Sequence, residues 1–374
     1  MKIKDLIDIK NFVFKWDVIE AIPEFAELKN CEQNPKWHSE GNAWVHTKKV
    51  CEEAAKICKD NGWEYETTYS SLLLASALFH DIGKGVTTEF KKGNWHSYGH
   101  EIEGEKITRL LLWDEDCDLR EGVCALVRWH MEPLKIFEHK DYYKWIIDIS
   151  KNIHSWYLLL YLKRCDVLGS IQEDEESRKN DILKLEDVSK VVSSLQCFFT
   201  PSKTPYIRQM LHKNMHNNKK NIKVHILIGL PGAGKSTAIK EIMVNNNTNY
   251  VIISRDIVRA ELGFCKEGEK IVGTRDQEDE VSKYCDKLML DAAYFGDTII
   301  VDNINLKRKY RDYFKELLKD YNVEYHYHYV ETKSLKTNIL RREVQINEEV
   351  FINMIKSFDW PEASEYDYLI YHFN

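Results

Sequence analysis

The sequence predicts a two-domain protein in which an all-α domain is followed by an α/β domain with a mainly parallel sheet. The first observation is length, because 374 residues exceed what one hydrophobic core usually organises. The second is that apolar residues recur at helical spacing through roughly the first 190 positions. The third is that short β-rich runs alternate with helical patterns in the rest of the chain.

The helical domain is predicted from four amphipathic segments. They carry apolar residues three and four positions apart and cover 47–61, 69–79, 101–113 and 153–168. Gly and Pro lie mainly between these segments, as expected where helices end. We therefore predict a helical domain over residues 1–195.

A change of composition marks the domain boundary. Pro, Asn and Lys replace periodic apolar residues between 198 and 221, which predicts a linker over residues 196–221. The segment 188–240 contains no Asp or Glu, whereas Lys and Arg recur along it. This basic stretch is either a solvated linker or a surface that follows phosphates.

The second domain is predicted to cover residues 222–374. Its β-rich runs are 224–230, 250–254, 297–303 and 323–330. Helical patterns follow the first run and recur near 276–294 and 307–320. Such alternation is typical of parallel strands joined by crossover helices.

The motif GLPGAGKS directly follows the first of these predicted strands and opens a predicted helix. Its glycines let the backbone fold around phosphates with the N–H groups pointing inward, while the helix N-terminus adds positive potential. Lys235 would reach the β and γ phosphates and Ser236 would hold Mg²⁺. The motif therefore predicts ATP binding by Gly229, Gly232, Ala233, Gly234, Lys235, Ser236 and Thr237.

The second predicted strand ends in the segment SRDIVR. At the carboxyl edge of a parallel sheet, Asp256 could accept the proton of an attacking hydroxyl and Arg259 could grip a substrate phosphate. The alternative is that Asp256 caps a helix and Arg259 is solvated.

The pair GLPGAGKS and SRDIVR resembles the P-loop polynucleotide 5'-hydroxyl kinases. The resemblance implies that Asp256 is the general base and that Arg259 binds the phosphate beside the acceptor nucleotide. Asp302, in IIVDNIN, is similar in place to a further family Asp, which implies that it orients Arg259 or the acceptor side, although it could instead hold Mg²⁺. Arg341 and Arg342 look like the arginines of a lid over ATP, or are two solvated arginines on a helix.

Histidines and aspartates of the first domain form an ordered set. Neutral imidazoles and carboxylates are ligands of divalent transition metals. The order resembles the HD phosphohydrolase superfamily. The resemblance implies that one metal is bound by His46, His80, Asp81 and Asp166, and that a second is bound by His100 and His130. A metal lowers the pKa of bound water from ~16 toward ~7, which suits phosphoester hydrolysis.

Two further residues of this domain are candidates. Lys84, in HDIGK, would either grip a phosphate beside Asp81 in a catalytic role or end a helix. The segment KWHSEG, which contains His38, resembles the HD domains of CCA-adding tRNA nucleotidyltransferases. Those domains act on 2',3'-cyclic and 2'-phosphate ends, which makes His38 either a substrate-facing residue or a capping residue.

Fusion of the two domains in this order resembles the bacterial HD-Pnk end-healing enzymes. The resemblance implies 5'-hydroxyl kinase activity with ATP and Mg²⁺, and removal of 2',3'-cyclic, 2'- or 3'-phosphates with Mn, Ni, Co or Fe. RNA or DNA ends would be the substrates and a ligase would act downstream. The alternatives are a nucleotide or metabolite phosphohydrolase joined to a small-molecule kinase, and an ATP-switched nucleotide sensor without catalysis.

Composition indicates the cellular compartment in which the protein acts. Nine cysteines without a C-x-x-C pair argue against a disulfide framework and against a thiolate zinc site. The apolar runs are far shorter than the ~20 residues of a membrane-spanning helix. We therefore expect a cytoplasmic protein without membrane contact. A net charge of -7 does not argue against nucleic acid, which needs only a local basic surface.

Overall fold

The computed structural model describes residues 1–63, 67–172, 174–195, 222–245, 249–265, 273–332, 334–340 and 347–373. Backbone contacts divide the chain into two compact units, Met1–Lys213 and Asn214–Asn374, which are described separately below. The linker predicted over 196–221, together with Arg341 and Arg342, lies outside the described residues.

The first unit is mainly helical, as predicted. Its α-helices are α1 (Ile3–Leu6), α2 (Trp16–Glu20), α3 (Pro23–Ala26), α4 (Ala43–Asp60), α5 (Thr67–Phe79), α6 (Lys84–Thr87), α7 (His100–Leu111), α8 (Cys117–Trp129), α9 (Glu132–Lys135), α10 (Tyr142–Ser150), α11 (Trp156–Gly169) and α12 (Glu175–Ser194). Two antiparallel ribbons interrupt them, which the sequence analysis did not predict: β1 (Ile7–Asp8) with β2 (Val13–Phe14), and β3 (Glu89–Lys91) with β4 (Asn94–His96).

The core of the first unit forms around α5. The sequence LLLASALF leaves this helix no polar face, and every residue from Leu72 to Phe79 is buried. A helix that is apolar all round is stable only when other helices surround it, and here α4, α8 and α11 pack against it. Side chains that these helices direct toward α5 are therefore removed from water.

The second unit is an α/β domain with a parallel sheet, which confirms the predicted fold class. Its strands are β5 (Ile222–Ile228), β6 (Tyr250–Ile253), β7 (Thr298–Val301), β8 (Val323–Glu331) and β9 (Tyr368–Phe373), in the order β6-β7-β5-β8-β9 with every pair parallel. Its helices are α13 (Lys235–Asn245), α14 (Arg255–Glu261), α15 (Arg275–Phe295), α16 (Arg308–Leu317), α17 (Leu335–Leu340) and α18 (Glu348–Lys356).

Strand β5 lies at the centre of this sheet. It is buried along nearly its whole length, which is typical of a strand covered on both faces. Because all five strands run in the same direction, the segments after β5, β6 and β7 emerge at one edge of the sheet. Strand β9 was not predicted. It is the edge strand at the end of the sheet away from β6, and its sequence YLIYHF is half exposed.

A buried ion pair connects α16 to the segment before β9. The Arg311 guanidinium donates to both carboxylate oxygens of Glu365, at 2.7 and 3.2 Å, and both side chains are essentially inaccessible to solvent. Its remaining N–H groups donate to the carbonyls of Asn305, Leu306 and Asp359. In the described parts of both units, no helix combines the length and the apolar character needed to cross a membrane.

Candidate active sites

The structure brings together the His and Asp residues singled out in the first unit. His46 lies on α4, and His80 and Asp81 occupy the turn that follows α5. The other three come from α7, the end of α8 and α11, and they are His100, His130 and Asp166. All six are buried, although 120 residues separate the first from the last.

Four of these residues form one cluster of possible metal ligands. His46 Nε2 lies 3.0 Å from Asp166 Oδ1 and 3.4 Å from His80 Nε2. Asp81 Oδ2 lies 3.3 Å from His80 Nε2 and 3.7 Å from His46 Nε2. Two nitrogens and two carboxylate oxygens thus converge on a single point, which we call subsite one.

A second cluster shares Asp81 with the first. His100 Nε2 lies 3.3 Å from His130 Nε2, and Asp81 Oδ1 lies 3.3 and 3.9 Å from these two nitrogens. We call this cluster subsite two. Asp81 therefore directs Oδ2 to subsite one and Oδ1 to subsite two.

Backbone carbonyls fix which nitrogen of three imidazoles carries the proton. The Nδ1 atoms of His80, His100 and His130 lie 2.9, 2.7 and 2.7 Å from the carbonyls of Ala77, Ser97 and Val127. A carbonyl only accepts, so each Nδ1 carries the hydrogen and each neutral ring presents a lone pair at Nε2. This is the tautomer that binds a metal through Nε2.

The chemistry of the donor set fits a divalent metal. Burial lowers the pKa of His100 and holds that of His130 well below its ordinary value, so both rings are neutral at pH 7. Two neutral Nε2 lone pairs that face each other at 3.3 Å repel unless a cation lies between them. A bound metal would supply an activated water and positive charge opposite phosphoryl oxygens.

Two buried lysines accompany the carboxylates. Lys84 Nζ lies 2.6 Å from Asp81 Oδ2 and donates to Gln33, and Lys163 Nζ lies 2.6 Å from Asp166 Oδ2. Burial opposes ionisation of the two aspartates, but the lysines and nearby imidazoles outweigh it and hold both pKa values well below the usual range. Lys84 was predicted from the sequence, whereas Lys163 was not, and the only signal for Lys163 was its i,i+3 spacing to Asp166.

Glu40 connects the predicted His38 to the ligand His46. Its Oε1 lies 2.9 Å from His38 Nδ1 and 2.8 Å from His46 Nδ1, while its Oε2 accepts from the amide of Ile171. The ring of His38 packs edge-on against His46, with the centroids 4.6 Å apart. The structure therefore places His38 beside subsite one, and Glu40 is a positioning residue that the sequence analysis missed.

Gly83 allows α7 to approach the His80-Asp81 turn. A Cβ atom at this position would lie 2.0 Å from the carbonyl oxygen of His100 and 2.6 Å from the amide nitrogen of Gly104. Because these are backbone atoms, no side-chain rotation could relieve the clash. The glycine is thus what lets a ligand at the start of α7 reach Asp81.

In the second unit, the glycine-rich loop connects β5 to α13. Gly232 and Gly234 have φ angles of +76° and +98°, which favour glycine. Lys235 Nζ donates to the carbonyls of Gly229 and Leu230, at 3.1 Å each. Ala233 is buried, whereas Ser236 and Thr237 are exposed at the helix N-terminus.

Asn338 supports this loop from α17. Its side-chain amide donates to the carbonyl of Pro231 at 3.2 Å. The backbone carbonyl oxygen of Asn338 would lie 2.4 Å from a Cβ atom at position 232, so only glycine fits there. Nothing in the local sequence around position 338 indicated this role. The contact fixes the loop from the side of the sheet that carries β8.

The segment after β6 contains the predicted acceptor residues. Asp256 lies in the first turn of α14 with its side chain 87% exposed, and its Oδ1 accepts from Arg259 at 2.6 Å. Glu278, on α15, binds Arg259 through both oxygens, at 2.7 and 2.9 Å, and also accepts from Arg255. These contacts with Arg259 and Arg255 lower the pKa of Glu278 to about 2, against a smaller effect of burial.

Asp302 follows β7 at the same edge of the sheet. Its amide donates to the carbonyl of Ile253 at 2.9 Å, which places it next to the end of β6. Burial raises the pKa of its carboxyl, Lys235 lowers it and Asp256 raises it, so the three charges lie within electrostatic reach of one another. In the described residues the carboxylates that contact Arg259 are Glu278 and Asp256, rather than Asp302.

Two protein families match the chain at these sites. The HD domain family matches residues 44–168, which contain all six of the clustered His and Asp residues. The AAA domain family matches residues 224–361, which contain the glycine-rich loop. An HD domain implies a divalent metal, and a P-loop domain implies ATP and Mg²⁺.

Similar proteins cover only parts of the chain. The multifunctional CCA protein of Actinobacillus pleuropneumoniae serotype 5b (strain L20) is 38% identical over 158 residues, which is 42% of this chain and 36% of that protein. The multifunctional CCA protein of Vibrio cholerae serotype O1 (strain M66-2) is 32% identical over 108 residues, 28% of this chain and 24% of that protein. The chain thus spans about a third or less of the length of these curated relatives.

Solved structures resemble the chain more distantly. A structure of a Pnkp1/Rnl/Hen1 complex is 18% identical with a TM-score of 0.31, and the match covers 36% of this chain and 44% of that chain. A gluconokinase from Sinorhizobium meliloti 1021 is 15% identical with a TM-score of 0.30, over 41% of this chain and 84% of that chain. The geometry and the family matches together establish that the chain is a fusion of an HD domain to a P-loop domain of the AAA family, in the predicted order.

Proposed function

We propose that this protein heals the ends of broken RNA or DNA. The HD domain would remove 2',3'-cyclic, 2'- or 3'-phosphates, and the P-loop domain would transfer the γ-phosphate of ATP to a 5'-hydroxyl. A break that leaves these two ends cannot be joined by a standard ligase until both have changed, so a ligase would act next.

One observation carries the proposal. A chain that contains a buried six-ligand His/Asp site also contains a phosphate-binding loop with an acid and an arginine at the same sheet edge. The residues of the first site are suited to hydrolysis of a phosphate ester, and those of the second are suited to transfer of a phosphoryl group to a hydroxyl. Their presence in one chain is explained economically by a substrate whose two ends need opposite reactions.

In the kinase reaction the residues of this chain have separate tasks. Asp256 would take the proton from the attacking 5'-hydroxyl while Lys235 neutralises the transferred phosphoryl group. Arg259, held by Glu278, would bind the phosphate next to the acceptor nucleotide, and Asp302 would lie on the same side. The proton leaves the hydroxyl as the bond from its oxygen to the γ-phosphorus forms and ADP departs.

In the hydrolase reaction, Lys84 and His38 flank the ligand set. Lys84 would move from Asp81 toward a phosphoryl oxygen, and His38, neutral because burial lowers its pKa, would hydrogen bond to the sugar-phosphate end. Mn, Ni, Co or Fe are the metals that a set of imidazoles and carboxylates favours. The HD relatives are named multifunctional CCA proteins, which supports a nucleic-acid end over a free nucleotide.

An oligonucleotide with a 5'-hydroxyl and a 2',3'-cyclic phosphate tests the proposal directly. The full chain is incubated with ATP, Mg²⁺ and Mn²⁺, Ni²⁺ or Co²⁺, and both ends are read by mass spectrometry. We expect Asp256→Ala to lose 5'-phosphorylation by about 10²- to 10⁴-fold and to keep 3'-end hydrolysis. Asp81→Ala should show the opposite pattern, so each variant is the control for the other.

Two results would refute the proposal. If wild type changes neither end while it phosphorylates a free nucleoside or sugar, the protein is a small-molecule enzyme. If it changes neither end and ATP only alters nucleotide binding by the HD domain, it is a sensor.

A further inference from the structure

An aromatic ribbon projects beside subsite two and has no part in the chemistry described above. It is the hairpin β3–β4, in which Phe90 pairs with Trp95 and the rings meet edge-on with centroids 5.0 Å apart. Beyond the second strand, the ring of Tyr98 stacks on that of His96, with centroids 5.1 Å apart and planes within 11°. Tyr98 is 75% exposed and Phe90 is 59% exposed.

The exposure of these rings is unusual for a structural role. A two-stranded ribbon has too little apolar surface to be stable alone, and large rings that support a core are buried in it. Phe90 and Tyr98 instead remain largely in water. Burial in the described fold therefore does not explain why aromatic residues occupy these positions.

The base of the ribbon is connected to a metal ligand. The Ser97 carbonyl accepts from Nδ1 of His100 at 2.7 Å, and the Ser97 hydroxyl is 2.8 Å from that of Thr88, the residue before β3. Tyr98 lies in the three-residue connection between His96, the last residue of β4, and His100, the first residue of α7. Along the chain, Tyr98 therefore lies between Ser97, whose carbonyl orients His100, and His100 itself, a residue of subsite two.

The charge of the ribbon fits a phosphate-bearing partner. Its turn carries Lys91 and Lys92, and Glu89, which contacts Lys91, is the one carboxylate of the hairpin. Exposed aromatic rings among cationic side chains are the combination that binds single-stranded nucleic acid, in which bases stack and phosphates pair with lysine. The two lysines beside the rings favour a phosphate-bearing chain over an apolar protein surface as the partner.

We propose that the stack of His96 and Tyr98 binds the bases at the 3' end of a single-stranded substrate and so presents the terminal phosphate to the HD site. The inference rests on the proposed end-hydrolysis activity and extends it to substrate recognition. One base continues the two-ring stack on the exposed face of Tyr98. Because every base has a π-face, the site selects a base-bearing end without selecting its sequence.

Abasic substrates test the inference. Two oligonucleotides of the same length end in a 2',3'-cyclic phosphate, and in one of them the last two nucleosides lack bases. We expect wild type to prefer the base-bearing end in kcat/KM by about 5-fold to about 150-fold, the range typical of one stacked base. Tyr98→Ala should abolish the preference, mainly through KM, and Tyr98→Phe should retain it.

Tyr294→Ala is the matched control, since Tyr294 is 77% exposed and lies in the other unit. It should keep the wild-type preference, and metal content and melting temperature should be equal in all variants. If wild type hydrolyses both ends equally well, or if Tyr98→Ala retains the preference, the stacking inference is overturned while end hydrolysis stands. If wild type hydrolyses neither end, both proposals are overturned together.

Discussion

Glu278 offers a sharp test of how the acceptor site of the second unit is held. Its carboxylate binds Arg259 through two hydrogen bonds of 2.7 and 2.9 Å and accepts a third from Arg255. Replacement by glutamine keeps the shape of the side chain and removes its charge. The substitution therefore removes the charge and one of the two acceptor oxygens without leaving a cavity.

The magnitude follows from the pKa of Glu278, which the two arginines lower from 4.5 to about 2. A fall of this size corresponds to about 3 kcal/mol of folding free energy. The side chain is 30% exposed, and solvent screening reduces the contribution to about 1–2 kcal/mol. Because the folded-state pKa is the lower one, this stability is present above pH ~4.5 and is lost as the pH falls toward ~2.

The assay is urea denaturation of the full chain between pH 7 and pH 2.5, followed by hydrogen exchange of α15 peptides. Glu278→Gln should lower the free energy of unfolding by about 1–2 kcal/mol at pH 6–7, and the difference should disappear near pH 2.5. Glu280→Gln, an exposed neighbour on the same helix, should have no such effect. A difference that stays constant with pH, or is absent, would refute the electrostatic explanation.

The same variant has an expected kinetic effect. Since Arg259 is proposed to bind the phosphate beside the 5'-hydroxyl, loss of its partner should raise KM for the oligonucleotide by about 5- to 10-fold. KM for ATP should change less than twofold. A change confined to ATP would place Arg259 on the nucleotide side and contradict its assignment to the acceptor.

Three further predictions concern other contacts. Glu365→Gln should lower the free energy of unfolding by about 3–5 kcal/mol, because the buried charge of Arg311 loses its counter-ion. Gly83→Ala should push α7 away from Asp81 through the 2.0 Å backbone clash, so elemental analysis should show less metal bound per chain and hydrolysis should fall. Glu40→Gln should weaken metal affinity by about 10- to 100-fold in titration calorimetry, since His46 loses its orienting carboxylate.

Each of these variants has a control and a contrary outcome. The control for Glu365→Gln is Asp312→Asn, at an exposed ion pair, whose free energy of unfolding should stay within about 0.5 kcal/mol of wild type. If both variants lose the same free energy of unfolding, burial of the ion pair does not determine its contribution. Gly85→Ala should keep its metal, because a Cβ there would lie 3.3 Å from the side chain of Glu27 and 3.8 Å from the carbonyl oxygen of Glu24, without a backbone clash. Glu103→Gln should bind metal normally, and unchanged affinity in Glu40→Gln would mean that His46 needs no support.

The sequence predicted what depends on local pattern. The loop at Gly229–Ser236 is contiguous, so strand, glycines and helix can all be read in one place. The six His and Asp residues of the HD domain are distant from one another in sequence, yet each lies in a recognisable short segment, and the structure brings them together. The fold class followed from chain length and from the spacing of apolar residues, because that spacing is helical in the first domain and alternates between strand and helix patterns in the second.

The residues that were missed act across the fold. Glu278 reaches Arg259 from another helix, and Glu40 reaches His46 from the turn before α4. Asn338 contacts the phosphate-binding loop from 107 residues away. In each case the residue type is common, and only a contact in the folded structure shows what the residue does. Sequence spacing does not predict such contacts.

The His80-Asp81 dipeptide illustrates why a sequence signature can be so short. Adjacent residues of a helix diverge by about 100°, so two consecutive ligands reach one pocket only where the helix ends, and α5 ends at Phe79. The carbonyl of Ala77 in the last turn fixes the ring of His80, and the turn then directs Asp81 between the two subsites. Only a carboxylate offers one ligand oxygen to each side, since an asparagine would present an amide nitrogen to one of them. The dipeptide therefore encodes a helix end, an oriented imidazole and a bridging carboxylate at once.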